Sequence, residues 1–105
     1  MNLDLEMSKE GIPQEFWNRA DEVIALANEQ VAQSTIGKVS SSLLYAAARF
    51  NSFSVASSAS DAAEMQRDKK EAIKYFTEQY RKMLEENLDD YIENFDKYKS
   101  SEQSS

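Results

Sequence analysis

Hydrophobic residues recur at alternating steps of three and four along three stretches of the chain, which is the spacing of an amphipathic α-helix. The first predicted helix begins near Pro13, because the fixed φ of proline suits the first helical turn. Ser34 or Thr35 can cap the second, and Gly37 marks a possible turn. Because the connection between the first and second predicted helices is short, we expect these two helices to pack antiparallel to each other. The two inward stripes are Trp17, Ala20, Ile24, Ala27 and Val31, then Ile36, Val39, Leu43, Ala46, Phe50 and Phe53.

The second helix contains a stretch with almost no charge, residues 40–60, "SSSLLYAAARFNSFSVASSAS", in which Arg49 is the single charged residue. Its regular stripe excludes a flexible serine linker. A membrane span is disfavoured, because an arginine near the centre of a bilayer costs about 2.5 to 3.5 kcal/mol on insertion scales. We therefore predict a central helix that is buried on more than one side, in which small residues allow close approach of its neighbours.

The third predicted helix begins at Ser60 or Asp61, where Asp61 and Glu64 have the spacing of a capping box, and it runs to about Tyr98. If the third helix packs antiparallel to the second, the second helix ends level with about Met83. The remaining fifteen or so residues of the third helix would then extend roughly 20 Å beyond the hairpin. This overhang either breaks near residues 87–90 and folds back, or packs on a second copy. The absence of glycine and proline there favours the second copy. The candidate interface residues are Leu88, Tyr91, Ile92, Phe95 and Tyr98.

The predicted fold is therefore all-α, an antiparallel helical hairpin plus a long third helix. We expect the three helices to form a bundle. The alternative is that the C-terminal segment breaks away as a fourth helix. The chain has 105 residues, of which 41% are hydrophobic and 30% charged, so one globular domain is expected. We assign residues 13–98 to that domain, 1–12 to a flexible acidic tail and 99–105 to a disordered polar tail.

Charge and missing residue types argue against several classes of function. A net charge of −7 disfavours binding to nucleic acid, which requires clustered Lys and Arg. The chain has no cysteine and no histidine, so thiol chemistry, soft metal sites and the commonest general base are absent. We therefore predict that it is not an enzyme and has no catalytic residue, metal site or cofactor. The N-terminus lacks the pattern of a secretory signal, which predicts a cytoplasmic protein without a membrane partner.

Arg49 admits two interpretations. A guanidinium in a mostly apolar helix must be paired or solvated, and the predicted register places it level with Asp21 on the first helix and near Asp68 on the third. An internal ion pair is therefore the favoured interpretation. The alternative is an anion or ligand site, because the planar guanidinium suits carboxylate or phosphate. Its speculative members are Arg49, Tyr45, Asn51 and Trp17.

Three segments together resemble a known family: "EFWNRADEVIALANEQ", "GKVSSSLLYAAARFNSF" and "YFTEQYRKMLEENLDDYIENF". They are similar to a bacterial family of short acidic all-helical proteins classed as a domain of unknown function, over residues 14–96. The resemblance implies a bacterial, cytoplasmic protein and assigns no site residue.

The predicted function is consequently a non-enzymatic protein-interaction or oligomeric module, with a homodimer or another protein as partner. The alternative is a small-molecule or anion-binding protein that uses Arg49 and neighbouring aromatic residues. A dry ion pair at Arg49 would count against this alternative, whereas a closed, polar-walled cavity beside it would favour it.

Overall fold

Four α-helices form most of the chain in the computed structural model, which describes residues 11–104 and the side chains of residues 11–99. Their bounds are α1 Gln14–Val31, α2 Ile36–Ser58, α3 Ala62–Glu93 and α4 Phe95–Ser104. Residues 11–104 contain no strand, so the all-α prediction with a long third helix and a fourth helix is confirmed. Most of the predicted N-terminal tail lies outside the described residues.

The first two helices form an antiparallel hairpin, and local signals set its ends. Pro13 precedes α1 as its N-cap residue, with φ −61° and ψ 152°. Thr35 caps α2, since its Oγ1 accepts a hydrogen bond of 3.2 Å from the Lys38 amide. The cap predicted at Ser34 or Thr35 is therefore confirmed at Thr35. Gly37, which we expected at the turn, lies in the first turn of α2.

The hairpin buries little of α2. Val39 is the one buried side chain of this helix, at 7% exposure, and the half-buried Ala27 and Val31 lie on α1. Further along α2, Phe50 is 68% exposed and Phe53 is 61% exposed. The prediction that α2 is buried on more than one side is therefore wrong for the single chain. The physical reason is that α1 packs on α2 along one limited stretch, which cannot cover a helix that is apolar or small almost all round.

The start of α3 has the predicted capping box. Asp61 Oδ1 accepts a hydrogen bond of 2.9 Å from the Glu64 amide, and the Glu64 carboxylate accepts one from the Ser60 amide.

Contacts group the chain into two units, Met1–Asp68 and Lys69–Ser105. The prediction of one domain over residues 13–98 stays a prediction.

A break at Asn94 separates α3 from α4. We predicted a break, if any, at residues 87–90, and α3 instead continues to Glu93. The helix α4 then extends to Ser104, over residues that we assigned to a disordered tail. The reason lies in composition, because this segment has no glycine or proline and contains Glu102 and Gln103, which are good helix formers.

Candidate interaction surfaces

A patch of large apolar side chains lies on the exposed part of α2. We define the α2 patch as Leu43, Phe50 and Phe53, which follow one another at steps of seven and three residues and so share one side of the helix. Their exposed fractions are 38%, 68% and 61%. The rings of Phe50 and Phe53 are 5.7 Å apart between centroids, so they form one continuous aromatic surface.

The serine residues of α2 do not make this helix strongly polar. Ser52 Oγ donates to the Ala48 carbonyl at 2.9 Å, and Ser54 Oγ donates to the Asn51 carbonyl at 2.7 Å. Ser57 and Ser58 make the same kind of bond three residues back along the helix. A serine whose proton is donated to its own helix loses less on leaving water, because the donor is already satisfied. The C-terminal half of α2 can therefore be covered by another protein surface at a low desolvation penalty.

One of the two cations of α2, Arg49, borders the α2 patch. Lys38 and Arg49 are the charged residues of α2, which contains no Asp or Glu. They are eleven residues apart, which places them on the same side of the helix about 16 Å apart. On an ideal helix Arg49 lies about 40° from Phe53, so a positive charge stands directly beside the aromatic surface.

Arg49 does not form the internal ion pair that we favoured. It is exposed, and within residues 11–99 the recorded ion pair joins Arg81 and Glu85, with Nη1 and Oε1 2.8 Å apart. Neither Asp21 nor Asp68 forms an ion pair with the Arg49 guanidinium. The Arg49 charge is therefore solvated and open to an external partner.

The other members of the speculative ligand site do not converge on Arg49. Tyr45 lies one turn away on the same side of α2 and is 69% exposed. Asn51 is half-buried and points about 160° away around the helix. Trp17 is half-buried on α1, where its ring packs edge-to-face on Phe16 with centroids 4.9 Å apart. Arg49 and Tyr45 share an open surface, and the four residues do not form a closed cavity.

A second apolar patch follows the last turns of α3 into α4. We define the α3 patch as Leu84, Leu88, Tyr91, Ile92 and Phe95, whose spacing places them on one side of the helix. Their exposed fractions are 43%, 52%, 53%, 72% and 57%. The predicted interface residues are thus together on one face, and all except the half-buried Tyr98 are more than half exposed.

The α3 patch lies in the most acidic part of the chain. Residues 85–96 contain six Asp and Glu residues and no Lys or Arg. Two of them, Glu85 and Asp89, border the patch along one edge, one helical turn apart. Glu85 is held by Arg81 in an exposed i,i+4 pair, whereas Asp89 is exposed on the same edge.

The break at Asn94 is held by side-chain hydrogen bonds that converge on Asp90. Asn94 Nδ2 donates to Asp90 Oδ1 at 2.9 Å, and Tyr98 Oη donates to Asp90 Oδ2 at 2.6 Å. The Tyr91 and Tyr98 rings also pack together, with centroids 4.3 Å apart. The bond to Asp90 raises the pKa of Tyr98, with desolvation and the negative charge of Asp90 adding to the shift. These bonds therefore tie the start of α4 to the end of α3.

The sequence suggested Asp89 or Asp90 as the cap of a possible fourth helix, but it did not predict a role for Asn94 or the side-chain bonds that Asp90 makes at this junction. The signal that could have found them is the spacing of Asp90, Asn94 and Tyr98 at successive steps of four. The side chain of an Asn can donate to the carbonyl and carboxylate of the residue four positions earlier. It then competes with the backbone amides for these acceptors, and for this reason such residues favour helix ends.

Acidic clusters and long apolar helices are the remaining candidate features among the described residues. No group of three or more Asp and Glu residues there is arranged to hold a metal ion. None of its helices has the length and apolar character needed to cross a bilayer.

Comparison with known proteins identifies a family and a shared fold. The model of a family described as a protein of unknown function, DUF3144, matches residues 16–92. The NMR structure of the protein NB7890A from Shewanella sp is 37% identical to this chain and has a TM-score of 0.66. That alignment covers 94% of this chain and 98% of the Shewanella chain. No curated protein matches. The resemblance to a domain of unknown function is confirmed, and a bacterial origin, which the Shewanella protein favours, stays a prediction.

Proposed function

The chain belongs to the DUF3144 family, and we propose that it is a non-enzymatic helical module that associates with a second copy of itself. The observation that carries this proposal is the exposure of its large apolar side chains. Val39 and Ala72 are the buried hydrophobic residues of the described chain, whereas sixteen large hydrophobic residues are at least 38% exposed. Hydrophobic burial is the main favourable term in folding, so a chain with so little of it gains stability from a partner.

The combined area of the two patches supports a protein partner. At their exposed fractions, and with about 200 Å² for a large side chain, the α3 patch presents about 550 Å² and the α2 patch about 350 Å². Each patch alone is within the range of about 300 to 600 Å² for the largest apolar patch on a typical monomer, so neither one by itself requires a partner. Together the patches offer about 900 Å² per copy, which is comparable to the roughly 800 Å² that each partner contributes to a standard interface.

A second copy is the simplest partner that can cover these surfaces, because a twofold arrangement uses one set of residues on both chains. The anion-binding alternative has narrower support. Arg49 is exposed beside Tyr45, but Asn51 points away, and a lone arginine on an open surface gives a small anion few further bonds. The cytoplasmic location expected from the sequence stays a prediction.

Sedimentation equilibrium at micromolar concentrations tests the proposal. We expect a mass above the 12.0 kDa of one chain, and we expect Leu88→Asp or Phe95→Asp to lower it while circular dichroism still shows helix. Asn28→Asp on α1 is the matched control, since it adds the same single charge at an exposed polar position. A mass that stays at one chain for the unmodified protein across the concentration range would refute self-association.

A further inference from the structure

We propose that the two patches bind each other across the interface, so that the α2 patch of one copy receives the acidic α3 patch of the second copy. This inference rests on the proposed self-association and adds which surface meets which. In a twofold dimer the contact forms twice, because each copy provides one α2 patch and one α3 patch.

Charge distribution favours this crossed arrangement over pairing of like patches. The α2 helix carries two cations and no acid, whereas residues 85–96 carry six acids and no cation. Two α2 patches in contact would bring Arg49 of one copy towards Arg49 of the other. Two α3 patches in contact would bring Glu85 and Asp89 of one copy towards the same carboxylates of the other. Like charges across an interface are disfavoured and opposite charges fix partner and register, so the crossed pairing is the one that the charges support.

The edges of the patches match this pairing. Arg49 borders Phe53 on α2, and Glu85 and Asp89 border the α3 patch one turn apart, so each apolar surface has a charged edge of the opposite sign. The apolar centres are also comparable in exposure, which is 68% and 61% for Phe50 and Phe53 and 52% and 72% for Leu88 and Ile92. Ser54 and Ser57, which lie on the same side of α2 as Phe50, favour this contact, since their hydroxyl protons are donated within the helix and require no partner from the other copy.

A charge exchange between two variants tests the pairing. Arg49→Glu places two acidic edges together, and Asp89→Lys places two basic edges together, in each case at both contacts of the dimer. We expect each variant alone to dimerise at least about tenfold more weakly than the unmodified protein. In an equimolar mixture, one contact joins the two substituted positions, whose charges are again opposite, and the other contact joins the native Arg49 to the native Asp89. We therefore expect the mixture to form a heterodimer within about threefold of the original affinity.

Arg19→Glu and Asp21→Lys are the matched controls, because they make the same charge changes at exposed positions of α1. They should leave the dimer affinity within about threefold, alone or mixed. Native mass spectrometry with one variant isotopically labelled distinguishes heterodimer from homodimer, and circular dichroism checks that each variant is folded.

The possible outcomes separate this inference from the proposed function. An unmodified protein that remains monomeric refutes self-association itself. A dimer whose affinity neither variant changes, or a mixture that remains as weak as its components, overturns the crossed pairing and leaves self-association in place. Recovery only when both substitutions are in the same chain also overturns it, because that result places the contact within one chain.

Discussion

Removal of one exposed aromatic ring, Phe50→Ala, gives a quantitative test of where the α2 patch is buried. Phe50 is 68% exposed, so about a third of it is covered in the single chain. For a residue of about 200 Å² this is about 65 Å², which contributes roughly 1.5 kcal/mol to folding at about 25 cal/mol per Å². The remaining area, about 135 Å², would contribute roughly 3 kcal/mol more per copy once a partner covers it. The larger part of the effect is therefore expected in association.

Thermal unfolding at two protein concentrations separates these contributions. Association that favours the folded state makes Tm rise with protein concentration. We expect the unmodified protein to show this rise, and Phe50→Ala to lower Tm slightly at low concentration while removing most of the rise. Phe16→Ala is the control of the same chemical type, because Phe16 is half-buried on α1 beside Trp17 and should lower Tm equally at both concentrations. A Tm of the unmodified protein that does not depend on concentration, or a Phe50→Ala effect of equal size at both concentrations, would refute the reasoning.

Three further predictions concern single positions. The raised pKa of Tyr98 means that the stability contributed by its bond to Asp90 is present below the ordinary tyrosine pKa of about 10 and is lost as pH rises through the folded-state pKa. Ultraviolet titration should therefore show Tyr98 ionising above that ordinary value, and Tyr98→Phe should abolish this step. Asp61→Ala should lower the free energy of unfolding by about 1 kcal/mol in a urea titration, because the Glu64 amide loses its cap; an unchanged midpoint would contradict this. Tyr75→Phe should leave that free energy unchanged or raise it by up to about 1 kcal/mol, since its buried hydroxyl has no hydrogen-bond partner among residues 11–99, and a loss above about 1 kcal/mol would show that it has one.

Local signals predicted the helix ends well, because each depends on a few adjacent residues. The start after Pro13, the Thr35 cap and the Asp61 box all follow from side-chain chemistry that acts within four positions. The break at Asn94 was placed too early because the stabilising bond joins residues eight apart, Asp90 and Tyr98. Such a bond depends on how far a tyrosine reaches along a distorted helix, which periodicity does not report.

The error at Arg49 has a different origin. The ion pair was inferred from the level at which each residue should lie along two antiparallel helices, and that reasoning assumes close packing along their whole length. The burial of Val39 beside the exposure of Phe50 indicates that close packing holds near the connection and is lost further along α2. An axial register alone therefore cannot establish a salt bridge, which requires N and O within about 4 Å.

The disagreement over α2 bears on the proposed self-association. A helix with two charges in twenty-three residues has the composition of a helix buried on several sides, and yet most of its large side chains are exposed in one chain. The apolar composition of a helix indicates that its side chains are covered in the stable folded protein. It does not indicate whether the residues that cover them belong to the same chain or to another. If the α3 patch of a second copy covers the α2 patch, the composition of α2 and its exposure in the single chain have one cause. On that interpretation Phe50 and Phe53 are core residues of the dimer, and the charges of Arg49 and Asp89 determine which surfaces meet.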